Sequence, residues 1–268
     1  MAQANPNKKW GQHFLTDPQV IEEIVGLINP QPHQLMAEIG PGRGALTSHL
    51  VSRVRHLHAI EIDSSLIDKL KTSIHCDTLT IHHGDALHFP FQSLIQGDEK
   101  IRIVGNLPYS ISSPLLIRLL QYCDCTEDLC FMVQREVAQR LTASCGSARY
   151  GRLTVSVSAM MEIESVIEVE PSAFLPPPEV QSTVIYMRPN NRGVPEGSAT
   201  KVFSDLVRMA FGGRRKTIRK SLASMVTDNE IRQCGLDDNA RAQNLSVEDY
   251  LTLARYVTER KASCSKTK

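Results

Sequence analysis

The tetrapeptide Asn106-Leu107-Pro108-Tyr109 follows an apolar run at residues 101–104 and combines three groups that suit a flat heterocycle. Asn106 offers an amide oxygen, the Leu107 carbonyl precedes a proline, and Tyr109 offers an aromatic face. An exocyclic ring amine is a poor nucleophile because its lone pair is delocalised into the ring. Two acceptors for its two hydrogens favour a more pyramidal nitrogen, and a tyrosine ring can stack on an extruded base. The tetrapeptide therefore indicates chemistry at an exocyclic amine, although Asn and Pro are also ordinary turn residues.

Three further groups follow apolar runs upstream, in the order that an adenosine-bearing ligand requires. Residues 35–39 enter a Gly-Pro-Gly-Arg-Gly turn that begins at Gly40, where glycines allow a tight turn and a close approach to a ligand. Glu61 can accept hydrogen bonds from both hydroxyls of a ribose, and Asp85 can accept from an adenine amino group. Because ligands of α/β sheets bind beyond the carboxyl ends of the strands, we expect these groups and Asn106 to line one crevice.

The spacing of the glycines separates this ligand from a dinucleotide. The turn reads G-x-G-x-G rather than G-x-G-x-x-G, so a pyrophosphate at the helix N-terminus is not indicated. S-adenosylmethionine has a ribose and an adenine but no phosphate, and its sulfonium methyl is already activated. Transfer of that methyl is an in-line displacement that needs positioning more than acid–base chemistry. We therefore expect S-adenosylmethionine as the cofactor; the alternative is an α/β domain whose polar strand ends only close turns.

The elements that position these groups alternate between strands and helices as far as about residue 141. This pattern predicts an α/β fold with a parallel sheet covered by helices on both faces. Residues 153–160, 166–169 and 183–187 are rich in β-formers. Two added strands from this region are expected to complete a seven-stranded sheet.

The sequence also predicts two domains. Residues 189–199 are rich in Pro, Gly and Asn and form the clearest linker, and the signals beyond them are helical. Ser246 and Asp249 have the spacing of a helix N-terminal cap. We expect a catalytic domain at residues 1–190 and a small all-α C-terminal domain at residues 199–268.

The order of elements resembles the class I methyltransferases, which have a Rossmann-like sheet. Within them, Asn-Leu-Pro-Tyr is similar to the mark of enzymes that methylate the exocyclic N6 of adenine in ribosomal RNA. Four other segments are similar to motifs of one such family: Trp-Gly-Gln-His-Phe-Leu-Thr-Asp at residues 10–17, residues 131–138, Phe-Leu-Pro-Pro-Pro-Glu-Val at residues 174–180, and Phe-Gly-Gly-Arg-Arg-Lys at residues 211–216. The chain resembles the bacterial small-subunit (16S) ribosomal RNA adenine dimethyltransferase family. Its members dimethylate two adjacent adenosines in a hairpin loop near the 3′ end of the RNA.

The resemblance implies roles for particular residues. It implies cofactor contacts at His13, Leu15, Gly40, Glu61, Asp85 and Asn106. It also implies that Asn106 and the Leu107 carbonyl hold the target N6, with the adenine between Tyr109 and Phe174. The family often has Asn at the position of His13, and a histidine ring nitrogen can serve similarly. No general base is implied, since the proton can leave to solvent after transfer.

The charge of the chain is unevenly distributed. Its net charge is only +1, but residues 198–268 contain 14 Lys or Arg against 8 Asp or Glu, a net +6, and the remaining residues carry −5. The basic residues are densest at Arg214, Arg215, Lys216, Arg219 and Lys220. Such a patch binds phosphates without reading sequence, so it predicts an RNA contact; a solvated helix face is the alternative.

Composition is that of an ordinary globular protein, with 41% hydrophobic residues and no run long enough for a membrane span. The polar N-terminus lacks the apolar core of a signal peptide. Seven cysteines without a framework spacing indicate a reducing compartment, and the C-x-C-x4-C spacing from Cys123 is not that of a zinc site. We therefore expect a cytoplasmic monomer that binds no metal and no membrane.

These observations favour an enzyme that acts on 16S ribosomal RNA within the immature small subunit. A macrolide-resistance methyltransferase that acts on large-subunit RNA shares most motifs and stays open. A second alternative is an assembly factor that acts mainly by binding the immature small subunit. A small-molecule methyltransferase leaves the basic C-terminal region unexplained.

Overall fold

The structure is a computed structural model that describes residues 12–190, 192, 198–213 and 215–266. Its strands are β1 (Phe14–Leu15), β2 (Leu35–Ile39), β3 (His56–Glu61), β4 (Leu79–His83), β5 (Ile101–Asn106), β6 (Thr126–Gln134), β7 (Met161–Val169), β8 (Phe174–Leu175) and β9 (Ser182–Pro189). Its α-helices are α1 (Pro18–Ile28), α2 (Thr47–Leu50), α3 (Ser64–Ser73), α4 (Ser112–Leu119), α5 (Arg135–Leu141), α6 (Arg152–Ser158), α7 (Ser198–Ala210), α8 (Ile218–Ser221), α9 (Asp228–Gln233) and α10 (Val247–Lys266).

Seven strands form one mixed sheet in the order β4-β3-β2-β5-β6-β9-β7. The first five are parallel to their neighbours, and β9 is antiparallel to β6. The chain order reverses at β2, which lies between β3 and β5, and such a switch point is where open α/β sheets bind ligands. The predicted α/β class I methyltransferase fold, with its seven-stranded sheet, is confirmed.

The central strands β2 and β5 approach closely at their carboxyl ends. Gly105 pairs with Ile39, and a Cβ atom at Gly105 would lie 2.3 Å from the Ile39 carbonyl oxygen. Real Cβ atoms do not come so near to backbone, so only glycine fits there. This glycine lets β5 carry Asn106 to the edge of the sheet beside the turn that follows β2.

Strand β5 also carries a buried arginine at the opposite end from Asn106. Arg102 is 4% exposed, and its Nε donates to Asp128 Oδ1 at 2.8 Å. Its Nη1 donates to Gln34 Oε1 and its Nη2 to the Ile28 carbonyl. These partners satisfy the guanidinium within the sheet, as burial of a charge requires.

Helix α1 begins and ends at local signals. The Asp17 carboxylate accepts from the backbone N–H of Gln19 and Val20, and Pro18 occupies the first turn. Asn29, at φ 47°, ends the helix in the left-handed conformation. The buried residues of α1 recur at helical spacing, at Ile21, Ile24, Val25 and Ile28.

The β-rich residues 153–160 differ from expectation, because most of them form helix α6 and no strand. Val155 and Ala159 lie one helical turn apart, and both pack in an apolar cluster with residues of α7 and α10. This burial outweighs the weak intrinsic preference of valine and threonine for strands.

The chain divides into two compact units, and the division differs from the predicted domains of residues 1–190 and 199–268. Unit 1 contains the residues up to Ala138 together with Ile163–Pro189. Unit 2 contains Gln139–Glu162 and the chain from Asn190 onward. Gln139–Glu162, the inserted segment, lies between the two parts of unit 1 in the sequence but belongs to the core of unit 2. There the Tyr150 hydroxyl donates to the Leu245 carbonyl at 2.9 Å.

Unit 2 is mainly helical, in agreement with the predicted all-α character of the C-terminal region. The predicted cap of its last helix is confirmed: Ser246 N–H donates to Asp249 Oδ2 at 2.7 Å, and Asp249 N–H donates to Ser246 Oγ. Among the described helices, none combines the length and apolar character needed to span a bilayer.

Candidate active site

One cavity lies at the carboxyl ends of β2, β3 and β5, at the switch point of the sheet. The structure brings all the predicted cofactor contacts to its wall, and two of the predicted target contacts join them. These lining residues are His13, Leu15, Gly40, Glu61, Asp85, Asn106, Leu107 and Tyr109. Strand ends that are far apart in sequence therefore meet as expected.

Glu61 is held as an acceptor at the end of β3. Its Oε1 accepts from the backbone N–H of Ile62 and Asp63, both at 2.9 Å, and its Oε2 accepts from the Gly42 N–H at 3.1 Å. Burial raises the pKa of Glu61 above its usual range, and these N–H bonds oppose that effect. The carboxylate lines the cavity, and its Oε2 keeps a lone pair that suits a ribose hydroxyl.

The glycine turn leaves room for a ligand along its backbone. Gly40 has φ +66°, and its N–H donates to the Ile60 carbonyl at 3.0 Å. A Cβ atom at Gly40 would lie 3.4 Å from the Asn106 carbonyl oxygen, on the side where the turn faces β5. A side chain at this position would therefore narrow the cavity between the two strand ends.

Asp85 follows β4 and organises its own turn. Its Oδ1 accepts from the Leu87 N–H at 2.9 Å, and its Oδ2 lies 3.0 Å from His88 Nδ1. These bonds fix the carboxylate at the cavity wall, while a carboxylate has further lone pairs for an adenine amino group.

Asn106 presents a defined acceptor. Its Nδ2 donates to the His13 carbonyl at 3.0 Å, and a carbonyl oxygen can only accept, so Oδ1 must point the other way. The adjacent Leu107 N–H donates to the Met132 carbonyl at 3.1 Å, which anchors the tetrapeptide to β6. The two predicted acceptors for an exocyclic amine, Asn106 Oδ1 and the Leu107 carbonyl, therefore lie in a segment held by the His13 carbonyl and by β6.

Tyr109 is fixed at both ends of its side chain. Its hydroxyl lies 2.8 Å from Ser182 Oγ, and its ring stacks on His13 with centroids 5.6 Å apart and an interplanar angle of 25°. Burial raises the pKa of Tyr109, so its phenol stays protonated at neutral pH and does not act as a base. The remaining ring face suits stacking on a base.

The sequence profile of the ribosomal RNA adenine dimethylase family matches residues 3–259. The chain belongs to this family. It is 41% identical to the "Ribosomal RNA small subunit methyltransferase A" of Nitrosospira multiformis over 95% of this chain and 97% of that protein. It is 42% identical to the protein of the same name from Chromobacterium violaceum, over 98% of this chain and 99% of that protein.

Two solved structures of methyltransferases are similar over most of the chain. A dimethyladenosine transferase from Plasmodium falciparum has a TM-score of 0.78 and 25% identity, covering 93% of this chain and 98% of that one. The 23S rRNA methyltransferase ErmE has a TM-score of 0.66 and 26% identity, covering 91% of this chain and 99% of that one. Dimethylases of this family use S-adenosylmethionine, so the cofactor prediction is confirmed together with the enzyme class.

The residues of the cavity fit this cofactor, and one of them was missed from the sequence. Glu38 lines the cavity at only 2% exposure, and within the described residues its Oε2 has no hydrogen-bond partner. Burial raises the pKa of Glu38 to about 7, and the nearby Glu61 adds to the effect. A cationic ligand such as a sulfonium beside this group would favour its ionised form. Its signal in the sequence is a charged residue inside an apolar strand.

Phe174 departs from its predicted position. It lies in β8, pairs with Leu15 of β1, and is 3% exposed within the apolar cluster of unit 1. Phe174 is not among the residues that line the cavity, and its stacking on an adenine stays a prediction. The burial of its ring in this cluster gives the physical reason.

The predicted RNA contacts of the dimethylase lie in unit 2. Arg215, Lys216 and Lys220 are exposed, and Arg219 is half-buried; Arg214 lies outside the described residues. Arg215 and Lys216 occupy a turn between α7 and α8, whereas Arg219 and Lys220 lie in α8. None of these four forms an ion pair with another described residue, so their charges are available to a polyanion.

Proposed function

We propose that this enzyme transfers methyl groups from S-adenosylmethionine to N6 of two adjacent adenosines in a hairpin loop near the 3′ end of 16S ribosomal RNA. The observation that carries the proposal is the fixed amide of Asn106, whose Nδ2 donates to the His13 carbonyl and whose Oδ1 serves as acceptor beside the cofactor cavity. The two bacterial relatives, both named as small-subunit methyltransferases, support the choice of RNA.

Cofactor binding is assigned to residues at three strand ends. Glu61 accepts from the ribose hydroxyls, Asp85 accepts from the adenine amino group, and the backbone at Gly40 lies against the ligand. His13 and Leu15 complete the wall of the cavity. When bound, S-adenosylmethionine supplies a methyl group already activated by its sulfonium.

Target activation is assigned to the tetrapeptide. Asn106 Oδ1 and the Leu107 carbonyl accept the two hydrogens of N6, which makes the nitrogen lone pair available. Tyr109 stacks on the extruded adenine and holds N6 in line with the methyl group. The proton then leaves to solvent, because none of these groups is assigned as a base.

RNA binding is assigned to the basic cluster of unit 2, Arg214, Arg215, Lys216, Arg219 and Lys220. Phosphate contacts of this kind give affinity without sequence specificity. The choice of adenosine then falls to the cavity in unit 1, which accepts only an unstacked base.

The proposed substrate is the immature small subunit in the cytoplasm, where ribosomal RNA is processed, and the proposed active form is a monomer. Light scattering of the purified protein tests this part directly, since a dimer would double the measured mass.

A second candidate is methylation of large-subunit RNA. The observation that favours it is the similarity to the 23S rRNA methyltransferase ErmE at a TM-score of 0.66. The higher TM-score of 0.78 for the dimethyladenosine transferase and the names of the bacterial relatives favour the first candidate.

The test is methyl transfer from labelled S-adenosylmethionine to undermethylated small subunits, with large-subunit RNA as the control and the modified nucleoside identified. We expect dimethyladenosine on the small-subunit RNA. Label on large-subunit RNA would select the second candidate. Binding to small subunits without label on either RNA would favour an assembly factor over an enzyme.

A further inference from the structure

His13 contacts both the tetrapeptide that is assigned to the target base and the proline-rich loop at residues 174–180. Its ring stacks on Tyr109 at a centroid distance of 5.6 Å, and its Nδ1 lies 2.8 Å from the carbonyl oxygen of Pro176. Its own carbonyl accepts from Asn106 Nδ2 at 3.0 Å. The next residue, Phe14, pairs with Leu175 in the two-stranded sheet that joins β1 to β8.

The bond to Pro176 fixes the proton on the ring. A backbone carbonyl has no hydrogen to donate, so His13 Nδ1 must be the donor. The histidine therefore carries a proton on Nδ1. The hydrogen bond to Pro176 and the stacking on Tyr109 together fix the orientation of its ring.

We propose that the side chain of His13 positions the target base rather than the cofactor. It backs one face of Tyr109, so that the adenine stacks on the opposite face, and it ties the proline-rich loop at Pro176 to the same ring. This inference rests on the proposed function and deepens it, because it gives His13 a role in base selection that differs from the implied cofactor contact.

The geometry separates the side chain from the backbone of His13. The carbonyl that orients Asn106 belongs to the main chain and remains in every side-chain variant. A change of the ring therefore alters Tyr109 and the loop while it leaves the acceptor of Asn106 in place. Loss of rate with unchanged cofactor affinity is the expected signature.

Three substitutions separate the effect of the hydrogen bond to Pro176 from that of the stacking on Tyr109. His13→Asn keeps an N–H donor at the same number of bonds from the backbone as Nδ1, but it loses most of the stacking surface. His13→Phe keeps the stack and loses the donor, and His13→Ala loses both. The exposed His33 provides the matched control, His33→Ala, because it lies in a turn away from the cavity.

The measurements are the single-turnover rate of methyl transfer to saturating RNA and the dissociation constant for S-adenosylmethionine. We expect His13→Asn and His13→Phe each to slow transfer about fivefold and His13→Ala about thirtyfold, as loss of one or both contacts implies. Cofactor affinity should change by less than about threefold in all three. Equal losses of cofactor affinity and rate, or an Asn variant as slow as the Ala variant, would overturn the proposal.

A spectroscopic measurement tests the same contact without any activity. In protein with ¹⁵N-labelled histidine, the ring signals that vanish in His13→Asn belong to His13. These signals should show the Nδ1–H form, whereas the commoner Nε2–H form would contradict the bond to Pro176. If the wild-type enzyme methylates no ribosomal RNA, the proposed function fails, and this measurement still decides the arrangement of His13.

Discussion

The two compact units of the chain differ in charge, and the difference matches their ligands. The residues of unit 1 contain 12 Lys or Arg against 19 Asp or Glu, a net −7, whereas those of unit 2 contain 18 against 10, a net +8. Unit 1 holds the cavity, which is lined by the carboxylates Glu38, Glu61 and Asp85. A cationic cofactor is thus assigned to a cavity with acidic groups, and a polyanion is assigned to the basic unit.

The difference in net charge is larger between the two compact units than between the stretches of chain before and after the linker. When the chain is divided at the linker, residues 198–268 have a net charge of +6 and the remaining residues have a net charge of −5. The inserted segment Gln139–Glu162 accounts for the whole change, because it brings three arginines and one glutamate to unit 2. The excess positive charge of unit 2 therefore comes from two stretches of chain.

The strongest test of this division of labour is Asn106→Ala in unit 1. Loss of one of the two acceptors for N6 should lower the single-turnover rate on the order of a hundredfold or more, by analogy with the removal of one donor from an oxyanion hole. RNA affinity should stay within about threefold, because the side chain supplies neither a phosphate contact nor a charge, whereas the cofactor dissociation constant reports separately on the implied cofactor contact of Asn106. The rate and both dissociation constants are measured on the same preparation. A rate close to that of the wild type would remove Asn106 from the chemistry.

Glu38→Gln tests the acidic character of unit 1 through pH. Folding raises the pKa of Glu38 from 4.5 to about 7, so the folded state holds a proton that the unfolded state loses between these values. The free energy of unfolding of the wild type therefore falls as pH rises from 4.5 to about 7, and it keeps this lower value at higher pH. The glutamine variant has no such loss.

The free energy of unfolding of the variant minus that of the wild type should therefore grow by about 2 to 3 kcal/mol between pH 5 and pH 8. Denaturant titrations of both proteins at each pH measure it, and the comparison across pH cancels any fixed contribution of the amide. A difference that does not change with pH would mean that Glu38 is ionised in the folded enzyme.

Asn106, which was predicted, and Glu38, which was missed, show what the sequence does and does not predict. Asn106 was predicted because its signals are local: an apolar run, a glycine and a proline at short spacing. The start of α1 at Asp17 and Pro18 and the cap of α10 are local in the same sense. Strand ends of a parallel sheet then meet by topology alone, which explains why most of the cavity wall was predictable.

The features that escaped prediction depend on contacts distant in sequence. Phe174 is buried in the core of unit 1, where it pairs with β1, and the burial of Val155 within unit 2 makes a helix of a β-rich segment. The buried charge of Arg102 is satisfied by groups on α1, β6 and the loop between α1 and β2. Periodicity and composition carry no information on such pairings.

Removing charge from each unit in turn tests the assignment of RNA to unit 2. The triple substitution Arg215→Ala, Lys216→Ala and Lys220→Ala should weaken RNA binding about tenfold and lower the slope of log affinity against log salt by about 2. The matched control removes three exposed lysines of unit 1, Lys69, Lys71 and Lys100. It should leave both quantities unchanged. Equal effects of the two triples would mean that the enzyme responds only to total charge.

The smallest expected effect separates the two ways of dividing the chain. Arg149 and Arg152 are exposed and lie in the inserted segment, which the sequence assigned to the catalytic domain and the fold assigns to unit 2. If the basic surface is assembled by the fold, Arg149→Ala with Arg152→Ala should weaken RNA binding about threefold to fivefold and lower the salt slope by about 1. Lys69→Ala with Lys71→Ala in unit 1 removes the same charge and should have no such effect. If the inserted pair behaves like this control, RNA binding is confined to the C-terminal stretch of unit 2.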